Sequence, residues 1–355
     1  MARALRLAER GSYTAHPNPM VGCVLVCDGE VVGEGWHQRA GEAHAEINAL
    51  AAAGERARGA TAYLTLEPCS HHGRTPPCAP ALVDAGVSEV VIAMQDPFPA
   101  VRGNGKAALE AAGIRVRSGL MQAEAQVLNA GFLSRVRDGR PFVRLKVASS
   151  VDGAIAMKSG ESRWITGPEA RADVQRLRAR SGAILTGIGT VIADDPALTV
   201  RNEERDGRDR QPIRAVLDSR LRMPVSAGML ARPGQTVLYC TDDARQQSLL
   251  DAGAHVVCVE PAAGVLDVRQ VLADLADREV NDLLVEAGPS VSGHLLSRGL
   301  VDELVIYQAP HIMGSQTKPM FLTPEWTRLA DRQVLDIVDL RCVGSDIRIT
   351  ARLKD

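Results

Sequence analysis

The chain has 355 residues, 45% of them hydrophobic and 24% charged, with a formal net charge of −2; this suits a globular protein with two or three cores and excludes a disordered or fibrous one. Only 3% of residues are aromatic, so the basic field and stacking platforms of a nucleic-acid binder are missing, and no apolar run reaches the roughly 20 residues that cross a bilayer. Seven cysteines, an odd number with no export signal before them, argue against a disulfide framework and for a cytoplasmic protein acting on a small molecule.

The opening "MARALRLAER" reads as an amphipathic helix around Arg3, Leu5, Arg6 and Leu7. From residue 21, "VGCVLVCDGEVVGEGWH" places two β-rich runs around Asp28-Gly29, a strong hairpin signal. The Ala- and Leu-rich residues 44–58 predict a helix ending near Gly59, followed by a strand in "ATAYLTLE" and a short helix in "PALVDAG". A strand in "SEVVIAM", a helix over 106–112, a strand in "IRVRSG" and a helix over 122–137 complete a first α/β unit. The break falls in "RDGRP", giving domains 1–140 and 141–355.

The second unit opens on the strand "FVRLKVASSVDG", interrupted at Asp152-Gly153, and continues with a helix after Pro168. The runs "GAILTG", "IRAVLDS", "TVLYCT", "AHVVCV", "DLLVEAG" and "VDELVIYQAP" follow, most separated by helical stretches. Continuous apolar strands of this kind belong in a sheet covered on both faces. The charged run 201–211 reads as a solvated loop.

Chemistry concentrates in "EPCSHHGRTPPC", residues 67–78. A catalytic zinc takes three protein ligands and keeps a position for water, whereas a structural zinc is closed by four. Cys69, just after a predicted strand, and Cys78, at a predicted helix start, supply two; His44 in "HAE" supplies a third if it sits at or before the first turn of its helix. Glu46 is then the carboxylate beside the metal that can move a proton to a departing amine. Order and spacing resemble the zinc deaminases, H-x-E followed by P-C-x-x-C, with eight residues between the cysteines instead of two. Spacing alone leaves open whether His71 or His72 fills the fourth position, and whether the site is a closed structural one. Cys23, Cys27, Cys240, Cys258 and Cys342 read as small apolar packing residues.

The segments "HPNPMVGCVLV", "HAEINAL", "EPCSHHGRTPPC" and "MQDPFP", then "LKVASSVDG", "GESRWITG", "ADDPALTVR" and "VEAGP", together resemble the bifunctional riboflavin-biosynthesis family, a pyrimidine deaminase joined to a uracil reductase. The likeness runs from about residue 2 to 352, and the long Cys-to-Cys insert is itself a family feature. It implies an α/β chain with a cytidine-deaminase-like domain followed by a dihydrofolate-reductase-like domain. It implies zinc-dependent deamination of a diaminopyrimidinone bearing a ribosylamino 5′-phosphate, then reduction of the ribosyl group to ribityl by NADPH.

The same resemblance implies zinc on His44, Cys69 and Cys78, proton transfer by Glu46, and substrate contacts from Asn18, His37, His71 and Arg74. In the second domain it implies NADPH contacts at Ala148, Trp164, Thr190, Asp194 and Ser219. The turn Gly288, Pro289, Ser290, Val291, Ser292, Gly293 and His294 joins them; no strand-to-helix GxGxxG is present, so this Gly288 turn is the phosphate candidate. Substrate contacts are implied for Lys146, Ser162, Arg178, Leu198, Arg201 and Glu286. Arg178 and Arg201 carry guanidinium forks suited to a 5′-phosphate. Asn18 could instead be a turn residue, Trp164 a core aromatic and Arg178 part of a solvated helix face. A homo-oligomer is expected, with no nucleic-acid or membrane partner. Two other readings are a nucleoside or nucleic-acid deaminase fused to an unrelated domain, and a zinc-stabilised binding module.

Overall fold

A computed structural model describes residues 1–71, 76–99, 101–201, 211–262 and 264–354, which form two compact units, Met1–Gly139 and Arg140–Asp355. The first runs α1 (Ala2–Ala8), β1 (Gly22–Cys27), β2 (Glu30–Trp36), α2 (Ala45–Ala53), β3 (Thr61–Leu66), α3 (Cys78–Asp84), β4 (Glu89–Met94), α4 (Asn104–Ala111), β5 (Arg115–Ser118), α5 (Gln122–Leu128) and α6 (Ala130–Asp138). Its sheet has the order β2-β1-β3-β4-β5, antiparallel at β2-β1-β3 and parallel from β3 to β5. Asp28 and Gly29 both take positive φ, 50° and 81°, the backbone a tight primed hairpin turn requires. Leu25, Leu64 and Ile92 bury one face of the sheet under α2, α3 and α4, while Leu66, Ala93 and Met94 meet α1, α5 and α6 on the other.

Small residues set how α2 lies on the sheet. Gly33 and Gly35 alternate on one face of β2 and meet Ala45, Ala49 and Ala53 of the helix, so closely that a Cβ on Gly35 would lie 2.3 Å from the Ala45 carbonyl oxygen. The missing side chains let the two backbones touch, and this contact fixes the start of α2, where His44 and Glu46 sit.

Two helices are shorter than their patterns predict. The helix expected over 44–58 stops at Ala53, where Gly54 turns left-handed (φ 56°), and a 3₁₀ turn completes the stretch. The helix expected over 122–137 breaks at Asn129, whose side-chain amide accepts from Met20 N and donates to Met20 O at 2.8 and 2.9 Å. That bond pair ties the interruption to the residue that follows the "HPNP" segment.

The second unit continues β6 (Phe142–Ser150), β7 (Ala154–Met157), α7 (Pro168–Arg180), β8 (Ala183–Gly187), α8 (Ile188–Asp194), β9 (Ile213–Leu217), β10 (Thr236–Cys240), α9 (Gln246–Asp251), β11 (His255–Cys258), β12 (Pro261–Ala262), β13 (Val265–Leu266), α10 (Val268–Asp277), β14 (Asp282–Val285), α11 (Pro289–Ser297), β15 (Glu303–Ala309), β16 (Thr317–Pro319), β17 (Leu335–Val343) and β18 (Asp346–Leu353). Nine strands form one sheet, β11-β10-β9-β8-β14-β6-β15-β18-β17, parallel from β11 to β15 and antiparallel over the last two joins. One face packs on α10 and α11, the other on α7, α8 and α9.

The apolar runs predicted as buried strands are buried. Among the cysteines, however, Cys258 and Cys342 are exposed, because both lie on the outermost strands of the sheet, and the packing role read for them is corrected. The charged run is described only at residues 201 and 211; its middle, 202–210, lies outside the described residues, as do His72 and Arg74.

Candidate functional sites

In the first unit the ligands come from two helix starts and the end of one strand. His44 is the N-cap residue of α2, Cys78 is the first residue of α3, and Cys69 follows β3. His44 Nδ1 lies 3.2 Å from Cys78 Sγ and 3.6 Å from Cys69 Sγ, and the three ligand atoms all fall within 4.8 Å of one another. Two bonds hold Cys69 to the first turn of α3: Cys78 N donates to its sulfur at 3.3 Å and Ala79 N to its carbonyl at 3.0 Å. The Cys78 thiol, ahead of His44 and the Cys78 amide, pulls Cys69 down to about 4, while the same pairing and burial push Cys78 up. The soft N and S donors, three in number and within 4.8 Å of one another, suit zinc. Among the described residues no further ligand joins the cluster; His71 is exposed.

Glu46, in the first turn of α2, is 3% exposed, and burial raises its carboxyl above the ordinary carboxylate range. A buried carboxyl beside a reacting centre can both take and give a proton. His37 stands edge-on to His44 with ring centroids 5.4 Å apart. Its Nδ1–H donates to Ala43 O at 3.2 Å and its Nε2 accepts from Asn18 Nδ2 at 3.0 Å. Burial lowers its pKa, so the neutral ring with a defined tautomer is favoured. Asn18 and His37 are therefore brought to the metal cluster together, and Asn18 is more than a turn residue.

The sequence reading missed two residues that position this site. Asn48 Nδ2 donates to Trp36 O at 2.9 Å and to Ala43 O at 3.4 Å, tying the loop before His44 to β2. Glu67, buried, accepts from the backbone N–H groups of Asp96, Gly103 and Lys106 at 3.1 to 3.3 Å. A glutamate closing an apolar strand directly before Pro-Cys was the available signal, because a buried carboxylate must find donors.

In the second unit the candidate residues gather where the parallel strands β8 and β14 end, the usual ligand edge of such sheets. The start of α11 follows β14 and the start of α8 follows β8. A Cβ on Gly288 would come 3.8 Å from Thr190 Oγ1, and one on Gly187 would come 2.8 Å from Val291 Cγ2, while one on Gly189 would meet nothing within 4 Å. Gly288 caps α11 with no side-chain bond to the first turn, leaving those N–H groups open to a phosphate; this cradle suits a dinucleotide. Pro289 and Ser290 share that rim. Ser292 and Gly293 do not: Ser292 is fully buried with its hydroxyl donating to Ala287 O, and Gly293 abuts the Leu322 backbone, so packing explains both. His294 is half-buried.

Trp164 is 68% exposed rather than a core aromatic, with the Arg171 guanidinium 4.7 Å over its ring. Arg163 next to it donates to the Asp194 carbonyl, drawing Trp164 and Asp194 together. Ser219 accepts from both Thr241 N and Oγ1 at 3.1 Å. Lys146 on β6, Glu286 just past the end of β14 and Arg178 near the end of α7 gather. Arg178 donates to both Glu286 oxygens at 2.6 and 3.0 Å and to Thr199 O at 3.0 Å, so the fork offered to a phosphate in the sequence reading, or left to solvent, is turned onto Glu286. Burial lowers the pKa of Lys146, with Glu286 acting in the opposite direction. Ala148 is half-buried on the same strand as Lys146. Leu198 is buried in the core beside α7 with φ 45°, Arg201 is exposed, and Ser162 is half-buried in the loop before Trp164.

A family model described as the RibD C-terminal domain matches residues 141–346, and one described as the cytidine and deoxycytidylate deaminase zinc-binding region matches residues 1–94. The riboflavin biosynthesis protein RibD of Escherichia coli (strain K12) is 51% identical over 98% of this chain and 96% of its own. That of Haemophilus influenzae is 46% identical, over 99% and 95%. Among solved structures, Acinetobacter baumannii RibD, form 2, has a TM-score of 0.91 at 44% identity, covering 99% of this chain and 97% of that one. The diaminohydroxyphosphoribosylaminopyrimidine deaminase/5-amino-6-(5-phosphoribosylamino)uracil reductase of Thermotoga maritima has a TM-score of 0.86 at 31% identity, covering 100% and 97%.

Proposed function

The chain belongs to the RibD family of bifunctional deaminase–reductases of riboflavin biosynthesis, and from that premise we propose which residues perform each step and on what. The substrate is 2,5-diamino-6-ribosylamino-4(3H)-pyrimidinone 5′-phosphate, deaminated in domain 1–140 and then reduced by NADPH in domain 141–355. The observation that carries the reading is the His44, Cys69 and Cys78 cluster with Glu46 buried beside it.

When bound, zinc supplies the Lewis acid that activates the attacking water. Glu46 takes the proton at a carboxylate oxygen and returns it to the exocyclic amine, which leaves as ammonia. Asn18 and His37, locked to each other, hold the pyrimidine against the cluster; His71 and Arg74 complete the substrate contacts. When bound, NADPH supplies the hydride for the anomeric carbon of the ribosylamine. Lys146 holds the ribose oxygen, and the Arg178–Glu286 pair fixes the wall against which the sugar rests. Arg201, Ser162 and the Leu198 backbone line the same end of the substrate.

Partners and place are proposed on thinner ground. Among the described residues no helix is long and apolar enough to cross a membrane, and a cytoplasmic enzyme suits the free thiols. A homo-oligomer is supported by β17, an outermost strand exposing Ile337, Val338 and Leu340, the kind of edge a second copy covers. A monomeric mass in sedimentation at micromolar concentration would count against it.

The test supplies the pyrimidinone ribosyl phosphate with NADPH and follows ammonia and NADPH oxidation separately. Cys69→Ser and Glu46→Gln should stop ammonia release, Glu46→Gln with zinc retained; Lys146→Ala should stop oxidation only. Ammonia release that persists in Glu46→Gln, or oxidation that persists in Lys146→Ala, refutes the assignment.

A further inference from the structure

Two cysteines outside both sites face each other. Cys240 ends β10 and is fully buried, whereas Cys258 ends β11, the outermost strand, and is exposed. The strands are parallel and the two residues are register partners, so their side chains stand on the same face of the sheet. Their sulfurs lie 3.0 Å apart. A disulfide needs an S–S separation near 2.05 Å and Cα atoms within about 4.4–6.8 Å. Neighbouring strands run about 4.8 Å apart, so about an ångström of side-chain movement joins the sulfurs with the ladder intact.

We propose that Cys240 and Cys258 are an oxidisable dithiol, a peroxide-sensitive modification site whose closure locks the edge strand β11 onto β10. The exposed Cys258 thiolate attacks one oxygen of the peroxide; the S–O bond forms, the O–O bond breaks, and the other oxygen leaves as water. Cys240 then attacks the Cys258 sulfur; the S–S bond forms, the S–O bond breaks, and a second water carries off the Cys240 proton. Two thiols are oxidised, one peroxide is reduced to two waters, and a dithiol reductant reverses the step. Burial and the neighbouring sulfur hold the Cys240 thiol up at about 12, which suits it to be the second sulfur rather than the first. On the proposed function's placement of Ser219 at the cofactor, the link adjoins that site, since Thr241, the residue after Cys240, donates to Ser219 O.

The full chain, reduced and then exposed to hydrogen peroxide, is alkylated in denaturant and mapped by mass spectrometry. The expected product is a linked peptide pair containing residues 240 and 258, two hydrogens lighter than the reduced pair and restored by dithiol. The β11 amides should exchange at least about tenfold more slowly in the oxidised chain, because the cross-link closes a short loop. Cys258→Ser, at an exposed position, should keep the fold and form no link. Cys258 accumulating as sulfinic acid while Cys240 still alkylates, or Cys258 linked between two chains instead, overturns the proposal. A linked pair with β11 exchange unchanged overturns the lock.

Discussion

The replacement Gly35→Ala tests whether backbone contact between β2 and α2 aims the deaminase site. The added Cβ would lie 2.3 Å from Ala45 O, 2.5 Å from Ala49 N and 2.8 Å from Asn48 Cβ, where side chains essentially never come within 3.0 Å. Two of these neighbours are backbone, so no rotamer change relieves them and α2 must lift by roughly an ångström. Overpacking of this kind costs about 1–3 kcal/mol. His44 and Glu46 ride on the lifted helix end, and an ångström of misplacement at a reacting centre lowers rate by roughly 100-fold. We expect ammonia release to fall by about that factor, with zinc content reduced and the denaturation midpoint of the first unit lowered. NADPH oxidation on substrate already deaminated should be unchanged. Full ammonia release at an unaltered midpoint would show that Gly33 and Gly35 do not govern the site, and the argument from close packing would fail.

The Arg178–Glu286 pair is 11–12% exposed at both side chains, so Glu286→Ala leaves a buried guanidinium with, among the described residues, Thr199 O alone and should cost about 3–5 kcal/mol in urea denaturation. Arg178→Met with Glu286→Leu should recover most of that stability while NADPH oxidation stays lost; a single variant costing under about 1 kcal/mol would refute the pairing as structural. Asp152, bonded by Ser150 Oγ, Met313 N and Gly314 N, is held down at about 2. Its folded pKa is depressed, so its contribution is present above the ordinary aspartate range and disappears as pH falls toward 2. Asp152→Asn should therefore be less stable than the parent at neutral pH, and the two should converge in acid; a gap at pH 2 as large as that at neutral pH contradicts this.

The strands and their order of appearance were legible because both sheets are built from short apolar runs between clear turn residues, and the zinc ligands because His44, Cys69 and Cys78 fall at element ends that the pattern marks. What escaped depends on contacts distant in sequence. Asn129 breaks a helix to hold Met20, 109 residues away, and no local propensity contains that. The C-terminal hairpin β17–β18 carries apolar residues on both faces of an edge strand, so the alternation that reveals a half-buried strand is missing. Arg178 read as a phosphate fork because its type suits one, but its partner Glu286 lies 108 residues on. Spacing could not have shown that the guanidinium is already engaged.

Helix starts in this chain differ in whether a carboxylate reaches their first N–H groups. A carboxylate serves the start of α4 from Glu67, of α7 from Asp346 and of α10 from Asp267. Among the described residues no side chain caps the starts of α3, α8 and α11, and the residues before them are Pro77, Gly187 and Gly288. A carboxylate is the ordinary favourable cap at a helix start, but at α11 it would oppose a phosphate. Gly288→Asp separates the two demands: the new side chain should cap α11 and raise stability by a few tenths of a kcal/mol, while its charge opposes the pyrophosphate. Calorimetric titration should show NADP⁺ affinity weakened by more than about tenfold, the factor that 1.4 kcal/mol represents, with ammonia release intact. Unchanged NADP⁺ affinity in a stabilised variant would mean that the cofactor's phosphates bind elsewhere, and that the open start of α11 answers to packing alone.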